Sequence, residues 1–232
     1  LFNDFEIYDL TSNGCLFIKN FHLERREFKN FYKKDKGCDE TANKKRIQTI
    51  NNINNFYIIY GGMMPVATTG KYFNNLEINE IRSTKQKLSL QKKLDAKRRF
   101  VSKSNINIEQ DIIETLNFLS NLSNRLYIIY PFPELGFNPN FVRGLKMIEQ
   151  TKNLTISKDL YLKRIEKTDE IYKKSKMDKI KLIPSDDVFC KFDNRCISTN
   201  KDIVLYDDHN HLSFYGVTLI MNKIIEDLNL KN

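Results

Sequence analysis

The 232-residue sequence contains no run of eighteen or more apolar residues, so no stretch of it reads as a membrane-spanning helix. It lacks the basic, apolar and small-residue succession of a signal peptide. It opens on Leu1 rather than Met, and we expect it to be a piece of a longer polypeptide. Histidine is scarce, confined to His22, His209 and His211. Cysteine is confined to Cys15, Cys38, Cys190 and Cys196, none at the Cys-x-x-Cys spacing of zinc ribbons or thioredoxin-like sites. No zinc-finger spacing and no RNA-binding aromatic signature occurs, so nucleic-acid binding rests on charge alone. No internal repeat is evident.

What is present fits one α/β domain, or one domain with an insertion. Hydrophobic residues make up 41% of the chain, enough for a core. The net charge is +9, and it is concentrated. Between Arg82 and Lys103 there are nine Lys/Arg against one acid, Asp95, a local excess of +8 that leaves +1 for everything else. Such a stripe can hold an anionic polymer, acidic glycan or nucleic acid, and it can equally be a solvated helix face. The solvated face is the simpler reading. The cysteines form two local couples, 15 with 38 and 190 with 196. They suit disulfides in an oxidising compartment as readily as reduced thiols in a cytosolic one.

Four short runs rich in β-branched and aromatic residues read as strands: Phe56–Tyr60, Leu126–Tyr130, Lys179–Ile183 and, more weakly, Phe5–Leu10. Near-continuous apolar runs of this kind suit a parallel sheet buried on both faces. Helical periodicity lies between them. Thr41–Ile53 carries Ile47, Ile50 and Ile53. A helix opened by Asn107, with Gln110 placed for a capping box, aligns Ile108, Ile112, Leu116 and Leu119. Ser157–Lys174 and Ser213–Leu228 follow, the last with Ser213 as N-cap. Alternating strands and helices predict a three-layer α/β/α fold with a mainly parallel central sheet, and residues 80–105 read as an added basic helix or loop.

The chemistry concentrates in Tyr206-Asp207-Asp208-His209-Asn210-His211-Leu212-Ser213. A carboxylate three residues before an imidazole can turn back to bond one ring nitrogen. That leaves the other free as a general base for a serine hydroxyl. An Asp/His-rich turn that merely caps a helix, and a zinc site built from Asp208, His209 and His211, are the alternatives. His22 has no partner carboxylate in a matching motif and reads as a surface-loop residue, while Glu134 reads as structural.

Asp208-x-x-His211-Leu212-Ser213, followed by Gly216 and an apolar helix, resembles the last block of the SGNH (GDSL-like) hydrolases. The closest resemblance is to the SGNH domain at the C-terminal end of bacterial integral-membrane sugar O-acyltransferases. Its phrase of two cysteines, a strand and Tyr-Asp-Asp-x-His-Leu-Ser is matched by Cys190, Cys196, Ile203–Tyr206 and Asp207–Ser213. Ser12-Asn13-Gly14-Cys15 resembles the block after the family's second strand, and Ile128–Gly136 a later Pro-Glu phrase. The likeness runs in order over nearly the whole chain. No Gly-Asp-Ser occurs, and the resemblance places that block and its serine upstream of Leu1, on a first strand this chain lacks; a degenerate, inactive domain is the other possibility.

The resemblance implies a single domain over 1–232 of flavodoxin-like architecture, with His211 and Asp208 catalytic. Gly14 and Gly62 would supply oxyanion-hole N–H groups, and Gly61-Gly62-Met63-Met64 lacks the Asn many relatives place there, a departure common in the membrane-acyltransferase branch; Gly61-Gly62 reads equally well as a tight exit from the strand. It implies disulfides among Cys15, Cys38, Cys190 and Cys196, no metal and no cofactor. The implied reaction passes an acyl group, acetyl by resemblance, to a carbohydrate hydroxyl at the cell surface. The donor would arrive through an N-terminal membrane acyltransferase domain that tethers the chain on the periplasmic, extracytoplasmic face of the bacterial inner membrane, with no nucleic-acid partner. The rival functions are a carbohydrate esterase of the same fold and a non-catalytic module holding an anionic polymer through residues 82–103.

Overall fold

The computed structural model describes residues 6–10, 16–19, 21–28, 31–34, 37–62, 64–69, 98–102, 107–135, 155–175, 178–191, 193–200, 203–208 and 210–228. They fall in two compact units. One is drawn from Leu1–Tyr72, Lys93–Ile128 and Lys167–Leu182, the other from Phe73–Lys92, Ile129–Glu166 and Ile183–Asn232.

The first unit is built on strands β3 (Tyr57–Tyr60), β5 (Arg125–Ile129) and β7 (Ile180–Ile183), in the order β3-β5-β7. β3 and β5 are parallel, with Tyr57 opposite Arg125 and Tyr60 opposite Ile128. Leu126 N–H donates to Lys179 C=O, and Tyr130 N–H to Ile183 C=O, so β7 runs the same way. The sheet is therefore the parallel one the apolar runs predict, and the fold is α/β. Burial on both faces holds for β5, where Leu126, Tyr127 and Ile128 are all fully buried and alternation is absent from the sequence, but not for β3, where Tyr57 and Ile59 are 46% and 47% exposed.

Helices α1 (Glu40–Asn51), α2 (Met64–Thr69) and α3 (Ile108–Leu122) belong to this unit. Asp39 caps α1 by accepting from Ala42 N–H at 2.9 Å. Asn107 caps α3 but accepts from Glu109 N–H, and the Gln110 side chain donates to Glu114 instead, so the expected capping box does not close. Ile112, Leu116 and Leu119 of α3 are buried as their spacing predicts. Thr115, buried on the same helix, accepts Lys19 N–H at 2.9 Å and donates to Asp111 C=O at 2.7 Å.

Three further strands form an antiparallel sheet that the sequence did not announce: β1 (Phe21–Phe28), β2 (Phe31–Lys34) and β4 (Arg98–Ser102), ordered β2-β1-β4. Two expectations change here. His22 lies in β1, opposite Val101, rather than in a loop. Arg98–Ser102, expected within an added helix or loop, is a strand. The weak run at Phe5–Leu10 is not a strand over its described part, residues 6–10, where Ile7 is 74% exposed. An apolar residue without a packing surface offers the backbone no reason to extend.

The second unit carries the antiparallel pair β6 (Thr155–Ser157) and β8 (Arg195–Ile197), with Ile156 opposite Cys196. A short pair of strands, β9 (Thr199–Asn200) with β10 (Ile203–Val204), follows. Helix α4 (Lys158–Lys174) starts after β6 in this unit and from Lys167 onward belongs to the first, α5 (Asp186–Phe189) precedes Cys190, and α6 (Phe214–Asp227) is the last helix among the described residues. Ser185, at the N-terminal edge of α5, turns its hydroxyl to Tyr130 C=O at 2.6 Å, tying the exit of β5 to the exit of β7. No helix among the described residues is long and apolar enough to cross a membrane.

Candidate active site

The loop between β10 and α6 is closed at its base by the backbone. Leu205 N–H donates to Ser198 C=O, and Ser213 N–H returns to Leu205 C=O. Tyr206 bridges Leu212 in antiparallel fashion, and Asp207 N–H donates to His211 C=O at 2.9 Å. Ser213 is the N-cap of α6. Its hydroxyl donates to Val204 C=O at 2.8 Å and accepts from Gly216 N–H at 3.3 Å. Gly216 is required at that place, because a Cβ there would sit 2.2 Å from the Leu205 carbonyl oxygen. The glycine thus lets the helix start directly against the strand that enters the loop.

Within this frame Asp208 is fully committed. Its Oδ1 accepts from the backbone N–H groups of Asn210 and His211, both at 2.8 Å. Its Oδ2 lies 2.7 Å from His211 Nδ1. Burial raises the carboxyl pKa, but the N–H of Asn210, the ring of His211 and the N–H of His211 together outweigh it, so the net shift is downward. An ionised carboxylate only accepts hydrogen bonds, so in the neutral ring the proton sits on Nδ1 and Nε2 presents a lone pair. The imidazole is 58% exposed, and Nε2 has no hydrogen-bond partner among the described residues. Such an arrangement can accept a proton from a hydroxyl brought within reach of Nε2.

The predicted site residues divide between the units. His211 and Asp208 meet in the second, as their spacing anticipates. Gly62 is in the first, just past the end of β3, with a φ of 154° that suits glycine; a Cβ there would lie 2.9 Å from Leu16 Cδ1. Gly14, Cys15 and His209 lie outside the described residues. Cys190 and Cys196 form a disulfide that joins the end of α5 to β8, a few residues before the loop. Cys38 is also disulfide-bonded. Among the described residues no group of three or more His, Cys, Asp or Glu side chains converges as a metal site.

Sequence reasoning overlooked the buried surroundings of this loop. Tyr206 packs against Phe132 and Phe189, with ring centroids 6.2 and 5.8 Å away. Glu134 pairs with Arg164 of α4 at 2.7 Å. The Tyr-Asp-Asp and Pro-Glu phrases marked the segments, but only folding shows that both turn inward in one unit.

No curated protein and no solved structure matches the chain. A family model described as SGNH domain (fused to AT3 domains) matches residues 3–226. That match spans both units and ends within the last helix. With a carboxylate-oriented imidazole in the family's final block, the chain belongs to the SGNH domain family whose members are fused to AT3 domains, an acyltransferase-associated module.

Proposed function

We propose that the chain is the part of an extracytoplasmic O-acyltransferase that moves an acyl group, acetyl in the simplest case, to a carbohydrate hydroxyl. The serine nucleophile lies upstream of Leu1. The observation that carries the reading is the 2.7 Å contact from Asp208 Oδ2 to His211 Nδ1 on a side chain that is 58% exposed. His211 Nε2 takes the serine proton as the serine oxygen bonds the acyl carbonyl carbon. Asp208 keeps the ring in the Nδ1–H tautomer and stabilises the imidazolium. The imidazolium returns the proton to the leaving group, and an acyl-serine remains. A sugar hydroxyl then attacks the acyl carbon, giving its proton to Nε2, and the imidazolium passes a proton to the departing serine oxygen, which regenerates both the serine and the base. The backbone N–H groups of Gly14 and Gly62 are the proposed donors to the tetrahedral oxyanion. The cycle uses proton transfer and an internal nucleophile, so it calls for no cofactor.

Membership in a family fused to AT3 domains supports delivery of the donor by a membrane acyltransferase region of the same polypeptide. The Cys190–Cys196 disulfide supports an oxidising compartment, the periplasmic face of a bacterial inner membrane. The test is a chain extended N-terminally by its native upstream residues and assayed with an activated acetyl ester. His211→Ala should lower kcat/KM by about three orders of magnitude or more, and a fluorophosphonate probe should label an upstream serine. Undiminished turnover after that substitution, or labelling of the chain that begins at Leu1, would overturn the assignment.

A further inference from the structure

The second unit holds a buried polar cluster that acyl transfer as described does not use. Glu134, on the chain leaving β5, pairs with Arg164 of α4, and the two side chains are only 12% and 11% exposed. Tyr161, one turn earlier on α4, donates its hydroxyl to Pro131 C=O at 2.8 Å. An ion pair withdrawn this far from water needs further polar neighbours to offset its desolvation. Tyr206 reaches the same segment through Phe132, which lies between Pro131 and Glu134. It is 1% exposed and packed against Phe132 and Phe189.

The Tyr206 hydroxyl makes no hydrogen bond to any described residue. Buried phenols nearly always find a partner, because an unpaired buried donor forfeits its hydration with nothing in return. Burial, with Tyr161 and Glu134 nearby, pushes the phenol pKa up, so it remains a neutral donor. Tyr206 is also the first residue of the active loop, and its backbone bridges Leu212 one residue after His211. Whatever holds its side chain holds one side of the loop base.

We propose that Tyr206 is a positioning residue whose hydroxyl bonds a buried water shared with the Glu134–Arg164 pair, fixing the loop base so that Asp208 stays aimed at His211 Nδ1. Water fits the chemistry: it can accept from the phenol, donate to the Glu134 carboxylate and so meet the two or more partners a buried water requires. The catalytic consequence rests on the reading of His211 as the base. The tests below use the chain without turnover, so either idea can fail while the other stands.

A high-resolution crystal structure should show an ordered water about 3 Å or less from both Tyr206 Oη and a Glu134 oxygen. Tyr206→Phe should lower the melting temperature, because the water and the carboxylate lose a donor while the ring volume is kept. In nitrogen-15 correlation spectra at a temperature where both proteins are folded, His211 of the parent should be mainly the Nδ1–H tautomer. His211→Gln identifies its signals. Tyr206→Phe should at least double the Nε2–H fraction. Ile112→Val, a core change in the first unit, should lower the melting temperature and leave that fraction unchanged. The proposal fails if no such water is found, if Tyr206→Phe is as stable as the parent or more so, if the tautomer does not move, or if Ile112→Val moves it equally.

Discussion

Among the described residues Asp208 accepts hydrogen bonds from the N–H groups of Asn210 and His211 and from the His211 ring, all in the same loop. Asp208→Asn keeps the side-chain shape and one acceptor oxygen but replaces Oδ2 with an NH2 group. His211 Nδ1 would then have to accept, and the ring would switch tautomer, turning Nε2 from base to donor. In the N-terminally extended protein we expect about 10⁴-fold lower kcat and a modestly lower melting temperature at neutral pH, measured by ester turnover and thermal unfolding. The same carboxyl sets a pH dependence. Its folded pKa lies below the ordinary 3.8, so its stabilising contribution is present above that value and is lost as pH falls through the lower folded value. Acid unfolding of the parent should therefore steepen below about pH 4 relative to Asp208→Asn. Gly216→Ala places a methyl 2.2 Å from the Leu205 carbonyl oxygen and must shift the start of α6 or the strand before it. A destabilisation of about 2 kcal/mol or more is expected, read from urea midpoints.

At the scale of elements, two side chains hold the first unit together in ways their sequence positions do not reveal. Arg46 of α1 spans three places at once. Its Nε donates to Leu10 C=O, Nη2 to Gly37 C=O, both at 2.9 Å, and Nη1 to Asn43 Oδ1 at 2.8 Å. A lysine has one ammonium group where the guanidinium has a fork, so Arg46→Lys should not preserve this arrangement. Faster proteolysis or amide exchange around residues 6–10 and 37–39 would report the loss. Glu109 at the start of α3 meets Lys167 and Lys174 of α4, and its hydrogen bonds to those two ammonium groups pull its pKa down from 4.5 to about 2. The depressed carboxylate stabilises the fold above the unfolded value of 4.5 and ceases to do so as pH falls toward 2. Glu109→Gln should accordingly flatten the stability profile between those pH values while leaving neutral-pH structure intact, as followed by circular dichroism.

For the whole molecule, the Cys190–Cys196 bridge is, among the described residues, the covalent constraint nearest in sequence to the Asp208–His211 loop. Closing so short a loop removes about 2 kcal/mol of unfolded-state freedom, so reduction or Cys190→Ser with Cys196→Ser should lower the melting temperature by about 4–8 °C. β8, which carries Cys196, leads through β9 and β10 into Leu205, and Ser198 C=O accepts Leu205 N–H. Loss of the bridge should therefore also cut ester turnover in the extended protein. An unchanged kcat in the reduced protein would show that the loop is held by its hydrogen bonds alone.

Much of this was legible in the chain itself. The central strand β5 was visible because a strand buried on both faces must be apolar without interruption, and its neighbours β3 and β7, with Tyr57 and Ile59 46% and 47% exposed and Lys181 in mid-strand, were visible by their β-branched and aromatic composition. The helix faces were visible because Ile112, Leu116 and Leu119 repeat at the spacing of one helical side. The Asp208–His211 pair was visible because three residues is the reach of a turn. The strand at Arg98–Ser102 was not, since its pairing with Phe21–Phe28 joins segments more than seventy positions apart whose composition favours no sheet. Nor was the inward turn of Tyr206 toward the Glu134–Arg164 neighbourhood. Local sequence fixes which groups can bond across a few residues, because backbone geometry limits their reach. Which distant groups share a dry environment, and so which charge must be paired and which hydroxyl must find a partner, is decided only when the chain folds and removes water from them.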